Sequence, residues 1–314
     1  MKKFNVVKYF RFTIIVPLVL ILAALVSIAL RGVNLGIDFA GGTMLTMDLG
    51  EAAANLSDTE LSSQLEGIVA QHTNSDFRVS LSGGTEVIVH IQDSQEERDA
   101  QIAVTAELED AVREVYPDMK VVSAESVGAV VGAELVKNAV TALLLASALM
   151  LIYIWIRFEV WSGVATIFGQ FHDILVMLSV TILLNLKINT SLVAAVLTVM
   201  GYSINNTIIV LDRVREYRRT NTTHMTREDI VNESVTKTFM RSINTSLTTL
   251  FTVGALFVMG VTSVKEFTLP IIIGIFAGMY SSILLSGPFW AKICNWAEKV
   301  KENRTKKQRS SKKK

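Results

Sequence analysis

Residues 164–184, VATIFGQFHDILVMLSVTILL, decide the fold class of this 314-residue chain. The run is almost entirely apolar, and it is long enough for a helix to cross the roughly 30 Å of hydrocarbon in a bilayer. Two ionisable side chains, His172 and Asp173, interrupt it near its middle. The sequence therefore predicts a membrane-spanning helix that carries an acid–imidazole pair inside the bilayer.

Five other runs of similar length and composition lie on either side of this one. Backbone polar groups in lipid must be satisfied within their own segment, so each run predicts a helix. Half of the residues are apolar and the mean hydropathy is +0.42, as expected for a membrane protein. The predicted spans are residues 12–30, 137–156, 164–184, 191–211, 245–261 and 267–288.

Charge divides the chain into two parts. Residues 31–135 hold 19 acids and five Lys or Arg, a formal charge of −14, and the rest of the chain carries +15. Basic residues cluster in the N-terminal segment 1–11, in the connection 212–244 and in the tail 289–314. Because basic loops stay cytoplasmic, we expect both termini in the cytoplasm and an acidic domain, residues 31–136, outside. The first span, too long for a cleaved signal peptide, is expected to remain as an anchor.

The acidic domain has the pattern of a small α+β fold. Alternating apolar residues predict strands at 43–49, 77–81, 86–92 and 119–123, and Gly83-Gly84 predicts a hairpin turn. Helices are expected at 57–72, which opens with a Ser57/Glu60 capping box, and at 95–116, with Ile102, Leu108, Val112 and Val115 facing the core. The order βαββαβ is that of a ferredoxin-like domain.

Polar residues inside the other spans are candidate functional residues, because such groups are expensive in lipid. His172 and Asp173 could handle a proton or form a structural contact within the bundle. Asp212 and Arg213, at the end of the fourth span, are expected to form an ion pair or anchor at the membrane interface. The remaining candidates are Asn205 and Asn206 in the fourth span, and Arg241, Asn244 and Thr248 on one face at the start of the fifth.

Four motifs give the chain a family resemblance. They are GIDFAGGT at 36–43, which includes Gly36, Asp38, Gly41 and Gly42; FHD at 171–173; GYSINNTIIVLDRVRE at 201–216; and RSINTSLTT at 241–249. In this order and spacing they resemble the motifs of the SecD/SecF family, part of the resistance-nodulation-division (RND) superfamily. The resemblance implies a half-transporter of six spans with one large outer domain.

The resemblance also implies a function. Members of the family are accessory proteins of Sec-dependent protein export, in which a SecD partner works beside the SecY translocon after the SecA motor has started an unfolded preprotein. They are thought to draw on the proton-motive force, and the outer domain is expected to engage the emerging chain. The implied partners are thus SecD, SecY, SecA, the preprotein and the lipid bilayer, with no nucleic acid.

Asn206 departs from the family pattern. The fourth span of the family usually reads Ser-Ile-Asn-Asp-Thr, and that Asp is its leading candidate for a proton relay. Asn206 stands at this position, and an amide does not titrate in the working pH range. Asp173 could carry the proton instead, SecD could supply the acid, or the chain could lack proton coupling.

No phosphate-binding loop, metal-ligand cluster or nucleophile motif occurs in the sequence, so no enzyme activity, cofactor or metal is expected. Two other functions remain open beside a proton-linked export accessory. One is a scaffold of the translocon without proton coupling. The other is half of an RND-type small-molecule permease, which would be expected to have a larger outer region with an apolar pocket.

Overall fold

The structure is a computed structural model that describes residues 5–54, 56–73, 75–81, 85–91, 98–220 and 225–311. These residues form two compact units. The helical unit comprises the N-terminal part up to Val33, Leu143–Leu186, and the chain from Ser191 onward. The sheet unit comprises Asn34–Ala142 and the short segment Lys187–Thr190.

The membrane-spanning helices have the number that the sequence predicts. Within the described residues, six helical stretches are long and apolar enough to cross a membrane, which makes this a helical membrane protein. The last stretch joins two α-helices through a π-helical turn, Ser282–Ser286. The helices are α1 (Val6–Arg31), α5 (Ala129–Arg157), α6 (Val160–Leu183), α7 (Thr190–Thr220), α8 (Arg227–Met259), α9 (Thr262–Ser281) and α10 (Gly287–Ser311).

Two helices extend well beyond the apolar runs that predict them. α7 continues to Thr220, and α8 begins at Arg227 behind a capping box in which Thr226 and Asp229 bond to each other's backbone N–H. The connection at 212–244 is therefore mostly helical, although residues 221–224 lie outside the described part. Apolar composition marks only the length of helix that hydrocarbon requires, and helical backbone continues for as long as capping and side-chain packing support it.

Within the described residues, the sheet unit contains four strands, three complete helices and the first part of α5. In chain order the strands and complete helices are α2 (Ile37–Ala40), β1 (Gly42–Asp48), α3 (Asp58–His72), β2 (Phe77–Leu81), β3 (Glu86–Ile91), α4 (Arg98–Val115) and β4 (Lys120–Val127). The strands lie in the order β2-β3-β1-β4, and each neighbouring pair is antiparallel. The predicted turn at Gly83-Gly84 and the predicted helix start at 95–97 lie outside the described residues.

Alternation along the strands builds the core of this unit. Leu45 and Met47 on β1 and Val89 on β3 pack with Leu65 on α3 and Val112 on α4, and all five are buried. The Ser57/Glu60 capping box is present at the start of α3. Leu108 is buried as expected, but Val115 is exposed, because α4 ends there and Tyr116 is the residue that enters the core. The side chain of Ile102 lies outside the described part.

Candidate functional site

Asp173 is a fully buried carboxyl group at the meeting point of three helices. On α6, its Oδ1 lies 2.8 Å from Nδ1 of the neighbouring His172. Its Oδ2 accepts a hydrogen bond of 2.9 Å from Ser281 Oγ at the end of α9, and another from Ser203 Oγ on α7. Two hydroxyl donors and one imidazole nitrogen thus converge on the carboxyl group and fix the positions of its two oxygen atoms.

Close packing of α9 against α7 creates this meeting point. A Cβ atom on Gly274 would lie 2.3 Å from Val199 Cγ2, and one on Gly278, a turn further, would touch Ser203 Cα at 3.5 Å and Asp173 Oδ2 at 3.6 Å. The Gly274-x-x-x-Gly278 spacing thus places two glycines on the face of α9 that meets α7, and it lets the hydroxyls of Ser203 and Ser281 reach the same oxygen.

A second set of buried polar atoms includes side chains of α7 about one turn beyond Ser203, the α7 residue that bonds to Asp173. Asn206 is completely buried, and among the described residues neither its Oδ1 nor its Nδ2 has a hydrogen-bond partner. The same holds for the hydroxyls of Thr207 and of Ser286, in the π-helical turn. A Cβ on Gly169, one turn before Asp173 on α6, would lie 2.5 Å from Ser286 Oγ and 3.8 Å from Thr207 Oγ1, so these two hydroxyls border the same small space.

His172 connects the carboxyl group to a cavity. Its Nδ1 faces Asp173, while its Nε2 is buried without a hydrogen-bond partner in the described part of the chain. The ring borders a cavity of about 290 Å³ between α1, α6 and α9 whose other lining residues are mostly apolar, among them Pro17 and Phe276. Tyr280 stacks 6.1 Å from the imidazole and donates a hydrogen bond to the carbonyl oxygen of Thr13. The imidazole therefore stands between Asp173 and an otherwise apolar space.

The other predicted intramembrane candidates lie on the outside of the helical unit. Asn205 on α7 and Arg241, Asn244 and Thr248 on α8 are all exposed, and none of them contacts the Asp173 group in the described structure. The Thr248 hydroxyl donates to a carbonyl of its own helix. The structure thus divides the candidate residues into a buried set, His172, Asp173 and Asn206, and an exposed set on α7 and α8.

The predicted pair Asp212–Arg213 is wrong as a pair. Asp212 lies 3.9 Å from Arg157 at the end of α5, and Arg213 pairs with Glu216 at 2.5 Å, one turn further along α7. Adjacent residues on a helix point about 100° apart, so each of the two side chains meets a different neighbour.

The Gly36–Gly42 segment of the sheet unit has its own geometry. Gly41 and Gly42 have φ angles of 76° and 116°, in the region that favours glycine, where the chain leaves α2 and enters β1. Asp38, in α2, accepts hydrogen bonds at Oδ2 from the backbone N–H of Thr190, at 2.8 Å, and from its hydroxyl. Thr190 is the first residue of α7, so Asp38 caps the helix that bears Ser203 and Asn206.

Sequence reasoning missed Ser281 and Ser286 and gave Ser203 no role. A pair of adjacent serines, Ser281 and Ser282, followed by Ser286 in an apolar span, was the available signal, and all three are buried. Hydroxyls can bond back to their own helix, as Thr166 does to Ser162. The sequence therefore could not show which of them reach a neighbouring helix.

Comparison with known proteins gives consistent matches. Residues 107–296 match the family described as protein export membrane protein SecD/SecF, C-terminal, and residues 26–53 match the SecD/SecF GG motif. The chain is 38% identical to protein translocase subunit SecF of Acidaminococcus fermentans over 92% of this chain and 97% of that one. It is 36% identical to that of Sebaldella termitidis, over 86% and 85%.

A solved structure is also similar. The crystal structure of SecDF, a translocon-associated membrane protein from Thermus thermophilus, superposes with a TM-score of 0.78 at 32% identity. The similarity covers 94% of this chain but only 39% of the SecDF chain.

Proposed function

The chain belongs to the SecD/SecF family of protein-export membrane proteins, and on that basis we propose that it acts as an accessory subunit of the Sec protein translocase together with a SecD-type half. The similarity to 39% of a SecDF chain supports this pairing, since the remainder of that chain could hold the other half. A SecY translocon, SecA and an unfolded preprotein are the further partners in this proposal. A small-molecule permease half is disfavoured by the names of the relatives.

We infer that the exposed polar residues of α7 and α8 face the SecD-type half. Asn205, Arg241, Asn244 and Thr248 lie in spans whose surface would otherwise meet lipid, where uncompensated polar groups are unfavourable. Gly201 is also exposed on α7, one turn from Asn205. A small residue there would let a partner helix approach closely enough to bond to the amide.

We propose that the sheet unit is a ferredoxin-like domain on the extracytoplasmic side and that it engages the preprotein. The element order βαββαβ with strand order β2-β3-β1-β4 supports the fold assignment. The formal charge of −14 in residues 31–135, against basic N-terminal, connecting and C-terminal segments, supports the orientation, with both termini cytoplasmic.

The proposed energy source is the proton-motive force, with Asp173 as the proton-carrying group of this half. Asp173 carries this proposal because it is a completely buried carboxyl group with two hydroxyl donors and an imidazole nitrogen at hydrogen-bond distance. Asn206 cannot take a proton, but its two unpartnered amide atoms and the hydroxyls of Thr207 and Ser286 would hold water next to the carboxyl group. In this arrangement water and His172 deliver and remove the proton.

The test is preprotein export into vesicles at fixed ATP, with and without a proton gradient. We expect the gradient to accelerate export in wild type and to have little effect in Asp173→Asn, with equal membrane insertion of both. Asp212→Asn is the matched control, because it removes a half-exposed carboxylate from the same helical unit. An unchanged gradient response in Asp173→Asn would exclude Asp173 from the mechanism.

A scaffold without proton coupling is the second candidate function, and Asn206 favours it, because an amide stands where the family has a titratable group. The Asn206→Asp variant separates the two functions. If the gradient never affects export by wild type but does so in Asn206→Asp, the proton-driven function of this chain is wrong and the scaffold remains.

A further inference from the structure

A basic cavity lies in the helical unit away from the Asp173 group. It has a volume of about 360 Å³ and is lined by the turn between α5 and α6 and by the last turns of α7. Four of its lining residues are arginines, and Glu159 is its one acid; the arginines are Arg157, Arg215, Arg218 and Arg219. The formal charge of the lining is therefore +3, which favours an anionic ligand.

The existing contacts of these arginines leave much of their donor capacity unused. Arg218 donates from Nη1 to Glu159 at 2.5 Å, and Arg215 donates from Nη1 to the backbone carbonyl of Arg157 at 3.2 Å. Arg157 lies 3.9 Å from Asp212, a long contact between half-exposed groups. Arg219 is exposed and has no ion-pair partner among the described residues. Each guanidinium has five N–H donors in a planar fork that matches the oxygens of a phosphate.

The border of the cavity is apolar and faces outward. Ile156, which lines the cavity, is 83% exposed, and Trp155 and Val160 beside it are 62% and 63% exposed. The exposed apolar surface continues along α5 through Ile152 and Leu149, in a helix that is long and apolar enough to span the membrane. Tryptophan at the end of such a span is typical of the membrane–water interface. A ligand in this cavity would therefore contact arginines on one side and the apolar, lipid-facing surface of α5 on the other.

We propose that the α5–α6 turn and the end of α7 form a binding site for the phosphate group of an anionic phospholipid. Arg215 and Arg219 bind the phosphate oxygens, and Ile156 and Trp155 contact the first part of the acyl chains. A free phosphate would use the arginines but leave the apolar border unused, which is why the lipid is the favoured source of the phosphate. The site involves none of the residues proposed for proton transfer, so it does not depend on that proposal.

The test is retention of lipid by the purified full chain, measured by native mass spectrometry. Phosphatidylglycerol is compared with phosphatidylcholine of the same acyl chains, and we expect wild type to prefer phosphatidylglycerol. In the double variant Arg215→Gln/Arg219→Gln we expect the preference for phosphatidylglycerol to be reduced about tenfold, because charge-assisted hydrogen bonds to the phosphate are lost. The matched control, Lys301→Gln/Arg304→Gln, removes the same charge from an exposed part of α10 and should behave like wild type.

Further measurements distinguish a bound phospholipid from other ligands of the cavity. The variant Arg215→Lys/Arg219→Lys keeps both positive charges but loses the planar arrangement of N–H donors. We expect its preference for phosphatidylglycerol to lie between those of wild type and the Gln variant. This variant also serves as a control in which the charge of the chain is unchanged. Excess inorganic phosphate should not displace the lipid. Equal losses in the Gln variant and in the α10 control, full displacement by inorganic phosphate, or binding of an acidic peptide in preference to phosphatidylglycerol would each overturn the proposal.

Discussion

The variant Asn206→Leu tests whether the buried side chain of Asn206 is in contact with water. Asn206 is completely buried on α7, and neither polar atom of its amide has a hydrogen-bond partner among the described residues. Leucine has a similar size and shape but no polar atoms, so Asn206→Leu removes the two atoms while leaving the packing nearly unchanged. If the amide contacts only protein, removing it should stabilise the chain. If the amide binds water, the same change removes favourable interactions.

A dry site and a hydrated site predict measurably different changes in the free energy of unfolding for Asn206→Leu. A buried donor or acceptor without a partner costs about 1–3 kcal/mol, so two such atoms in a dry site would cost about 2–6 kcal/mol, which Asn206→Leu would recover. A buried water that satisfies both atoms removes that penalty, and the substitution should then give no more than about 1 kcal/mol of stabilisation. We expect the second result, because the hydroxyls of Thr207 and Ser286 are also unpartnered in the described structure.

The assay combines thermal unfolding of the purified chain with gradient-dependent export. Asn205→Leu is the control for unfolding, since it makes the same chemical change at the adjacent, exposed position. We expect Asn206→Leu to leave the unfolding temperature close to that of wild type and to reduce the response to the proton gradient. Stabilisation by several kcal/mol together with an unchanged gradient response would show that the site is dry, and the proposed water beside Asp173 would then be wrong.

Two predictions concern the sheet unit. Asp38→Ala should destabilise the chain by about 1–2 kcal/mol, because Thr190 loses its helix cap. Asp38→Asn keeps a capping oxygen and should destabilise the chain by only about 0.3–1 kcal/mol. Equal losses of stability in thermal unfolding of the two variants would contradict the capping role. Burial, with the nearby positive charges of Lys187 and Arg78, lowers the pKa of His90 below 6.5. The unfolded chain then binds more protons than the folded chain, so stability should fall as the pH drops below about 6.5, by at most about 1.4 kcal/mol per pH unit. Unfolding temperatures between pH 7.5 and 5.5 should fall less in His90→Gln, and an equal fall would exclude His90.

Most of the fold follows from patterns that act over short distances in sequence. Each apolar run must form a helix because lipid offers its backbone no partners, and this rule predicts all six membrane helices in the described residues. In the sheet unit, a period of two fixes β2 at Phe77–Leu81, and the Ser57/Glu60 box fixes the start of α3. The predicted β4 ends at 123, but the strand continues to Val127, because its pairing with β1 does not require an alternating apolar pattern at an edge.

The candidate site could be predicted only in part. His172 and Asp173 are conspicuous, because ionisable groups are rare within spans. Ser203 and Ser281 bond to Asp173 from positions 30 and 108 residues away along the chain, and no local pattern reports such a contact. Asn205 and Asn206 look equivalent in sequence, yet one is exposed and the other fully buried. That difference arises from the packing of α7 against other helices, which the sequence of α7 alone does not specify.

The bond between Asp38 and Thr190 has a mechanical consequence. A helix is stiff along its axis, and Ser203 lies roughly 20 Å along α7 from Thr190 at 1.5 Å per residue. Because Asp38 lies in the short helix α2, a displacement of α2 would act directly on the first residue of α7. Asp38 thus gives the first residue of α7 an attachment to the Gly36–Gly42 segment that is independent of its covalent neighbours in the chain.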